Sequence, residues 1–303
     1  MLSAIDMFSG LGGFTAGARA AGIRVLWAAN HWQSACDAHA ANHPETQHVC
    51  QDLQQANFLE TPGHDLLLCS PCCHGHSWAR GKDRPEHDGS RATAWAPVSC
   101  AEIHRPIAIV LENVVGFLRW LLFPAWEHAL QRLGYTLSVH HLDAADHGVP
   151  QHRRRIFIIA TRSRAQFTLR QVKRPHVPFR SVMDRTATNW SPVASKCQRT
   201  RQRVANGRLK LGREFLISYY SSGSGLAGRS LDRPLGTITT KDRWAVVDGD
   251  MLRMLTVEET RLAMGFPEGY RVPPGKNLAK HLYGNAVPPP VVTDVLSDLC
   301  TRI

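Results

Sequence analysis

Short apolar runs alternate with segments of helical periodicity over about the first 165 residues. The length of these runs and the turn residues at their ends are typical of buried strands. The runs lie at residues 2–7, 23–29, 65–69, 107–112, 136–141 and 155–161. The helical patterns between them lie at residues 13–21, 33–42, 91–104 and 124–133. Strands that alternate with helices predict an α/β fold built on a parallel, doubly wound sheet.

The pattern changes in the second half of the chain. Residues 170–247 are rich in Arg, Ser, Gly and Pro, with short apolar runs and little helical periodicity. We therefore expect a small, loop-rich second domain there. Helical periodicity returns at residues 256–264, where Thr256 and Glu259 have the spacing of a capping box. An apolar pattern at residues 291–299 predicts a final helix.

Charge adds a hypothesis about the partner. The chain has 36 Lys and Arg residues against 25 Asp and Glu, which gives a formal net charge of +11. Of the 36 basic residues, 29 are arginines. An arginine-rich surface suits phosphate backbones, although a host whose codon usage favours arginine would produce the same bias. No apolar run approaches the length of a membrane span, and no charged-then-apolar leader precedes the first predicted strand. We therefore expect a cytoplasmic protein.

The eight cysteines are scattered over a long chain, so a disulfide framework is not expected. One cluster resembles half of a zinc site and consists of Cys69, Cys72, Cys73, His74 and His76. No second Cys/His pair follows at a finger or knuckle spacing, and we predict that the protein holds no metal.

A glycine-rich turn follows the first predicted strand. Gly10, Gly12 and Gly13 allow close backbone approach, and the helical pattern that begins there offers free N–H groups to an anion. This indicates a nucleotide-like ligand, although the spacing differs from the dinucleotide-binding G-x-G-x-x-G.

Two chemically capable side chains follow later predicted strands. Cys73 comes shortly after the run at 65–69, and Glu112 ends the run at 107–112. Both are expected at the carboxyl ends of strands, where open α/β sheets bind their ligands. Glu112 has the chemistry to donate or accept a proton, and a helix-capping carboxylate is the structural alternative.

A polar motif enters the last strand of this region. Period-2 alternation places Gln151, Arg153 and Arg155 on one face. Three long polar side chains on a core-bound strand need buried partners or a ligand.

Taken in order, these segments resemble the motifs of the cytosine-C5 DNA methyltransferases, almost from one end of the chain to the other. The matching motifs are the turn at residues 6–13, Cys73 with Ser77 four residues later, Glu112-Asn113-Val114, Gln151-x-Arg153-x-Arg155, residues 233–239 and Gly284-Asn285-Ala286-Val287. Six motifs in the family order make chance agreement negligible. The cysteine segment is most similar to a subgroup with Ser-Pro-x-Cys-x-x-His-Ser, which places the nucleophile at Cys73 and leaves Cys72 as the alternative.

The resemblance implies a Rossmann-like, doubly wound methyltransferase sheet with a smaller, loop-rich target-recognition domain. Residues 1–168 and 281–303 would form the catalytic, S-adenosylmethionine-binding domain. Residues 169–255 would form the target-recognition domain, and residues 256–280 a helical hinge.

The resemblance also implies S-adenosyl-L-methionine as the cofactor. The residues that it assigns to cofactor binding are Asp6, Phe8, Ser9, Gly10, Leu11, Gly12, Gly13, Asn30, His31, Trp32, Asp52, Leu53, Pro71, Asn285 and Ala286. Phe8 is expected against the adenine, and Asp52 on its amino group. The family has an acidic residue for the ribose hydroxyls where this chain has Asn30-His31-Trp32, so a neutral His31 is expected as the acceptor.

The implied activity is methyl transfer to C5 of a cytosine flipped out of duplex DNA, through a covalent adduct between Cys73 and C6. Glu112 is expected to hold the cytosine N3 and Arg155 the ring carbonyl. Arg153 is expected to favour the thiolate. The loop at residues 74–90 is expected to close over the base.

Three other hypotheses remain: C5 methylation of RNA on the same scaffold, a catalytically silent nucleic-acid-binding subunit, and a dehydrogenase. The intact Cys73, Glu112 and Arg153 argue against the silent subunit, and the absence of G-x-G-x-x-G argues against the dehydrogenase. The expected partner is double-stranded DNA, bound by a monomer. A cognate restriction endonuclease is the further partner of a restriction–modification enzyme, and an orphan or phage self-protection role is equally open.

Overall fold

The computed structural model describes residues 1–76, 86–220 and 227–303. The chain forms two compact units. The first unit consists of Met1–Asp143, Arg154–Lys173 and Ala286–Ile303, and the second unit consists of Ala144–Arg153 and Arg174–Asn285. The three functional domains expected from the sequence stay a prediction.

A seven-stranded sheet in the order β3-β2-β1-β4-β5-β7-β6 forms the centre of the first unit. Its strands are β1 (Ser3–Met7), β2 (Arg24–Asn30), β3 (Gln47–Cys50), β4 (Leu66–Cys69), β5 (Ala108–Asn113), β6 (Thr136–Asp143) and β7 (Arg154–Thr161). The helices of this unit are α1 (Gly13–Ala20), α2 (Gln33–Asn42), α3 (Glu86–Ala92), α4 (Trp95–His104), α5 (Phe123–Arg132) and α9 (Pro289–Cys300). The strand order reverses between β1 and β4, which is the position where doubly wound sheets bind ligands.

The α/β, doubly wound fold class is confirmed, and all six predicted strands are present. One strand departs from the expected parallel sheet, because β7 runs antiparallel to both β5 and β6. The sequence pattern also missed β3, an edge strand whose four residues are all at least partly exposed and therefore lack an apolar run. Most of the helix predicted at residues 91–104 is present as α4, whereas residues 91–92 end the separate helix α3.

The core of the first unit is formed by apolar strands and the helices that cover them. All four residues of β4 are buried, because this strand has parallel neighbours on both sides and α4 packs on it. Helix α9 packs on α1 through small residues: a Cβ atom at Gly17 would lie 2.5 Å from the Cβ of Val292. The final segment of the chain is thereby held beside the first helix.

A four-stranded antiparallel sheet in the order β8-β11-β10-β9 forms the core of the second unit. Its strands are β8 (Ser191–Pro192), β9 (Glu214–Ser218), β10 (Trp244–Asp248) and β11 (Met251–Met254), and its helices are α6 (Gln198–Leu211), α7 (Val257–Ala263) and α8 (Lys276–Asn285). The predicted capping box is confirmed at the start of α7.

The expectation of a region with little helical structure was wrong for residues 198–211. Helix α6 has 14 residues, and most of them are polar or basic. Its buried face is narrow: Val204 packs among the strands, and Gly207 would place a Cβ atom 2.2 Å from the ring of Phe215. So few apolar positions leave no clear helical period in the sequence.

Within the described residues, no helix combines the length and the apolar character needed to cross a membrane.

Candidate active site

The turn between β1 and α1 has an unusual backbone. Phe8 has φ of 62°, in the left-handed region that bulky side chains avoid, and Gly10 and Gly12 have φ of 53° and 91°. The amide of Ser9 donates to the carbonyl of Ala29 on β2 at 3.0 Å, which ties the turn to the next strand. A strained aromatic residue held by its neighbours is typical of ligand-binding sites. The glycines were predicted from the sequence, whereas the conformation of Phe8 was not.

Gly13 lies at the first position of α1, against the last segment of the chain. A Cβ atom there would lie 1.9 Å from the carbonyl oxygen of Val287. The predicted cofactor residues Leu11, Gly12 and Ala286 are buried at this place in the first unit, whereas Asn285 is exposed and is the last residue of α8 in the second unit.

Asp6 is fully buried at the end of β1 and heads a chain of hydrogen bonds. Thr15 donates its hydroxyl hydrogen to Asp6 Oδ2 at 2.8 Å, and Thr15 Oγ1 lies 3.0 Å from Nε2 of the buried His39. Because Thr15 has only one hydroxyl hydrogen, His39 Nε2 must be the donor. In its neutral form His39 then accepts at Nδ1 from His48 Nε2, 2.7 Å away.

The other carboxylate oxygen of Asp6, Oδ1, is buried and has no hydrogen-bond partner among the described residues. A buried acceptor of this kind suits a hydrogen-bond donor from a ligand. The strained Phe8, the glycine turn and this oxygen together fit a polar, nucleotide-like cofactor.

The histidines behind Asp6 carried no signal in the sequence. His43 is buried beside His39, with ring centroids 4.8 Å apart. Its burial, together with the nearby His39 and Arg19, lowers the pKa of His43 to about 3. His43 is therefore neutral in the folded protein at physiological pH.

The ends of β2 and β3 lie side by side. Asn30 pairs with Cys50 in the sheet, and its side-chain oxygen accepts from the amide of Trp32 at 3.0 Å. His31 is exposed and Trp32 is half-buried. Beyond β3, the exposed Asp52 accepts from the amide of Gln54 at 3.0 Å, and Leu53 is buried.

The segment that carries the candidate nucleophile is fixed from two sides. Ser70 donates its amide to the carbonyl of Met7 at 3.2 Å and its hydroxyl to the carbonyl of Phe8 at 3.3 Å. On the other side, Asn113 Nδ2 donates to the carbonyl of Pro71 at 3.1 Å. The end of β4 is thus bonded both to the glycine-rich turn and to the end of β5.

Cys72 and Cys73 differ in their surroundings. The Cys72 thiol is exposed and accepts from the hydroxyl of Ser90 on α3 at 3.2 Å, and its amide donates to Thr93 Oγ1 at 3.0 Å. Cys73 is half-buried, and its carbonyl accepts from the amide of His76 at 3.0 Å. Ser77 lies outside the described residues, as do residues 78–85 of the predicted loop, whereas residues 86–90 belong to α3.

A buried ion pair lies at the end of β5. Glu112 Oε1 is 3.2 Å from Arg155 Nε, and the two side chains are only 8% and 17% exposed. The pair forms because β5 and β7 are antiparallel and Glu112 stands opposite Phe157, which places Arg155 two residues away on the same face. Since a carboxylate is costly to bury alone, Arg155 stabilises Glu112 in this position.

The polar motif at residues 151–155 divides between the two units. Gln151 and Arg153 precede β7 and belong to the second unit, where both contact Ile238. Gln151 Oε1 accepts from the amide of Ile238 at 2.6 Å, and Arg153 Nη1 donates to its carbonyl at 2.9 Å. Arg153 Nη2 also donates to the carbonyl of Gly284 at 2.9 Å. Arg153 and Gln151 therefore hold the segment at residues 233–239, a role that the alternation of residues did not predict.

Within the first unit, the predicted site residues lie at neighbouring carboxyl ends of the sheet. In the order of the strands in the sheet, they are the Asn30 turn after β2, the glycine-rich turn after β1, the Cys73 segment after β4 and Glu112 on β5. The arrangement offers a thiol near a buried carboxylate–arginine pair, beside a turn suited to a nucleotide-like ligand. It has the parts needed for nucleophilic catalysis on a polar ring.

Comparison with known proteins gives a consistent result. The model of the C-5 cytosine-specific DNA methylase family matches residues 2–301. The type II methyltransferase M1.HphI of Haemophilus parahaemolyticus is 29% identical over 329 residues, covering 95% of this chain and 84% of the relative. M.HhaI of the same organism is 26% identical over 298 residues, covering 93% and 89%. M.AgeI of Thalassovita gelatinovora is 34% identical over 175 residues, which span 52% of this chain and only 39% of that relative.

Solved structures share the fold. A putative DNA modification methyltransferase encoded within an E. coli prophage has a TM-score of 0.75 at 19% identity, covering 99% of both chains. A DNMT2 mutant of Spodoptera frugiperda has a TM-score of 0.73 at 18% identity, covering 99% of this chain and all of the other.

Proposed function

Because the chain belongs to the C-5 cytosine-specific DNA methylase family, as its sequence motifs predicted, we propose that it methylates C5 of cytosine in duplex DNA with S-adenosyl-L-methionine as the methyl donor. The observation that carries this proposal is the position of Cys73 and the buried Glu112–Arg155 pair at adjacent strand ends, next to the strained Phe8 turn.

The candidate cofactor residues lie at the ends of β1, β2 and β3. Bound S-adenosylmethionine supplies an electrophilic methyl group. We assign the adenine to the strained Phe8, the amino acid part to the turn through Gly13, and the polar groups of the nucleoside to the Asn30–Trp32 turn and Asp52. Asp6 Oδ1, buried and without a partner among the described residues, accepts from a donor group of the ligand.

Cys73 acts as the nucleophile in this mechanism. Its sulfur forms a bond to C6 of the cytosine, and the ring electrons shift to C5, which becomes nucleophilic enough to take up a methyl group. Loss of the C5 proton then drives cleavage of the S–C6 bond and releases the thiolate. The half-buried position of Cys73 supports this assignment over Cys72, whose thiol is exposed and bonded to Ser90.

Glu112 binds the cytosine at N3 and stabilises the protonated adduct, while Arg155 orients Glu112 and contacts the ring carbonyl. A thiol adds to C6 through a face of the ring, and stacking in a duplex hides both faces of the cytosine, so the base must be flipped into the site. It stays a prediction that the segment after Cys73 closes over the base. A direct effect of Arg153 on the thiolate is likewise a prediction.

Trapping with 5-fluorocytosine tests the proposal. The fluorine blocks the loss of the C5 proton, so a duplex of varied sequence that contains 5-fluorocytosine should trap the full-length protein when S-adenosylmethionine is present. Peptide mass spectrometry should locate the adduct on Cys73, and Cys73→Ser should abolish it while Cys72→Ser retains it. An adduct on Cys72 would move the nucleophile, and an adduct formed only on RNA would replace DNA as the substrate.

The biological setting is a separate matter. Cytoplasmic location, action as a monomer and a cognate restriction endonuclease stay predictions. The restriction–modification role gains support from relatives that are named type II methyltransferases.

A further inference from the structure

Helix α6 is the most basic element that the structure describes in the second unit. Its 14 residues include Arg199, Arg201, Arg203, Arg208 and Lys210, and they include no Asp or Glu. A helix with this composition is repelled by cationic surfaces and attracted by polyanions. Residues 198–211 fall within the expected target-recognition domain, and the proposed methylation of DNA does not say which elements of that domain contact the bases.

One face of α6 is anchored to the sheet of the second unit. Val204 and Gly207 pack against this sheet, and the guanidinium of Arg203 lies over the ring of Tyr219 at 5.4 Å. At one side, Arg208 Nη2 donates to Asp250 Oδ1 and to the carbonyl of Gly249, each at 2.8 Å. These contacts hold the helix in one orientation, so its outer face is presented rigidly.

The outer face carries side-chain amides in a row. Gln198, Gln202 and Asn206 follow each other at four-residue spacing, which places them on one side of the helix. Gln198 and Gln202 are exposed, and Gln202 Nε2 donates to Asn206 Oδ1 at 3.0 Å. The exposed Arg199 and Arg201 lie on opposite sides of this row.

We propose that α6 is a recognition helix that enters the major groove of duplex DNA, with its amide row on base edges and its flanking arginines on phosphates. This inference rests on the proposed function. Gln and Asn are the side chains that form paired hydrogen bonds with adenine in the major groove, and Arg binds phosphate oxygens.

The dimensions favour duplex DNA over duplex RNA. An α-helix with its side chains is about 10–12 Å wide, and the major groove of B-DNA is about 12 Å wide. The major groove of A-form RNA is too narrow and deep for side chains to reach its bases. This face carries one large apolar side chain, the exposed Leu209, among arginines, Lys210 and amides, and this composition disfavours a protein partner because protein interfaces are centred on clusters of apolar anchors.

The electrostatic part is tested by the salt dependence of DNA binding. The full-length double variant Arg199→Ala/Arg201→Ala should lower the slope of log K against log salt by about 1.8, because each lost phosphate contact removes about 0.9. Fluorescence anisotropy with a labelled DNA duplex measures this slope. The matched control is Arg132→Ala/Arg164→Ala, two exposed arginines of the first unit. Equal slopes for the two double variants would overturn the proposal.

The base-contact part is tested by sequence preference. We compare the methylation rate at sites altered in one base pair with the rate at the preferred site. In Gln202→Ala this ratio should be about 5- to 150-fold higher than in wild type, the equivalent of one lost bidentate contact. Bisulfite sequencing of a randomised duplex library measures this preference, and Gln131→Ala on α5 is the matched control. An unchanged preference in Gln202→Ala would overturn the assignment of α6 to base recognition.

The two proposals fail separately. If wild-type protein traps 5-fluorocytosine DNA and the α6 variants behave like their controls, only the role of α6 is refuted. If wild-type protein traps no DNA, the proposed function itself is refuted.

Discussion

Replacing Gly13 by alanine tests the packing of the β1–α1 turn against the last segment of the chain. The new Cβ atom would lie 1.9 Å from the carbonyl oxygen of Val287 and 2.9 Å from its carbonyl carbon. Both are backbone atoms, so no change of rotamer relieves the overlap. One of the two segments must move by at least about 1 Å to restore ordinary contact.

The cost follows from this geometry. Overpacking that forces the backbone to shift costs about 1–3 kcal/mol. In a chain of 303 residues, with an unfolding entropy of about 2.1 cal/mol/K per residue, each kcal/mol lowers Tm by about 1.6 °C, so we expect Tm to fall by about 2–5 °C. The Kd for S-adenosylmethionine should also rise, because the displaced contact joins the two segments that carry the proposed cofactor residues Gly12 and Ala286.

Calorimetric unfolding and isothermal titration with S-adenosylmethionine measure the two effects. Gly63→Ala is the matched control, because a Cβ atom there meets nothing within 4 Å and Gly63 is not in the left-handed region. A Gly13→Ala variant with the Tm and the Kd of Gly63→Ala would refute the argument.

Three further predictions concern buried titratable and charged side chains. Burial, with His39 and Arg19 nearby, holds the pKa of His43 at about 3, against 6.5 for an ordinary histidine, so the unfolded chain binds the additional proton and acid destabilises the fold. Urea titrations should show the free energy of unfolding falling by about 2 kcal/mol more from pH 8 to pH 5 in wild type than in His43→Gln; equal pH dependence would contradict this. Glu112→Gln should lower the rate of radiolabelled methyl transfer about 10²- to 10⁴-fold with little change in Tm. Arg155→Met should lower both the rate of methyl transfer and Tm, because it leaves Glu112 buried without its guanidinium partner. A wild-type rate in Glu112→Gln would exclude Glu112 from the chemistry.

Local patterns were enough to predict most of the fold. Five of the six predicted strands are apolar runs that lie in the interior of the sheet, where both faces must be apolar, so the sequence marks them directly; the sixth, β6, lies at the edge opposite β3 and is only partly buried. The edge strand β3 and the helix α6 were missed for the opposite reason. Each is largely exposed, and an exposed element needs few apolar residues to hold it in place.

Sequence order also identified the family and the side chains with the chemistry for its reaction, since turn glycines and polar residues at strand ends are local features. Their partners depend on contacts between distant segments. Arg155 reaches Glu112 because β7 pairs antiparallel with β5, and Gln151 bonds to Ile238, 87 residues further along the chain. Buried polar groups must find hydrogen-bond partners wherever the folded chain brings them. For that reason the residue types of the site are visible in the sequence, whereas the ion pair, the strained Phe8 and the histidines behind Asp6 are set by tertiary packing.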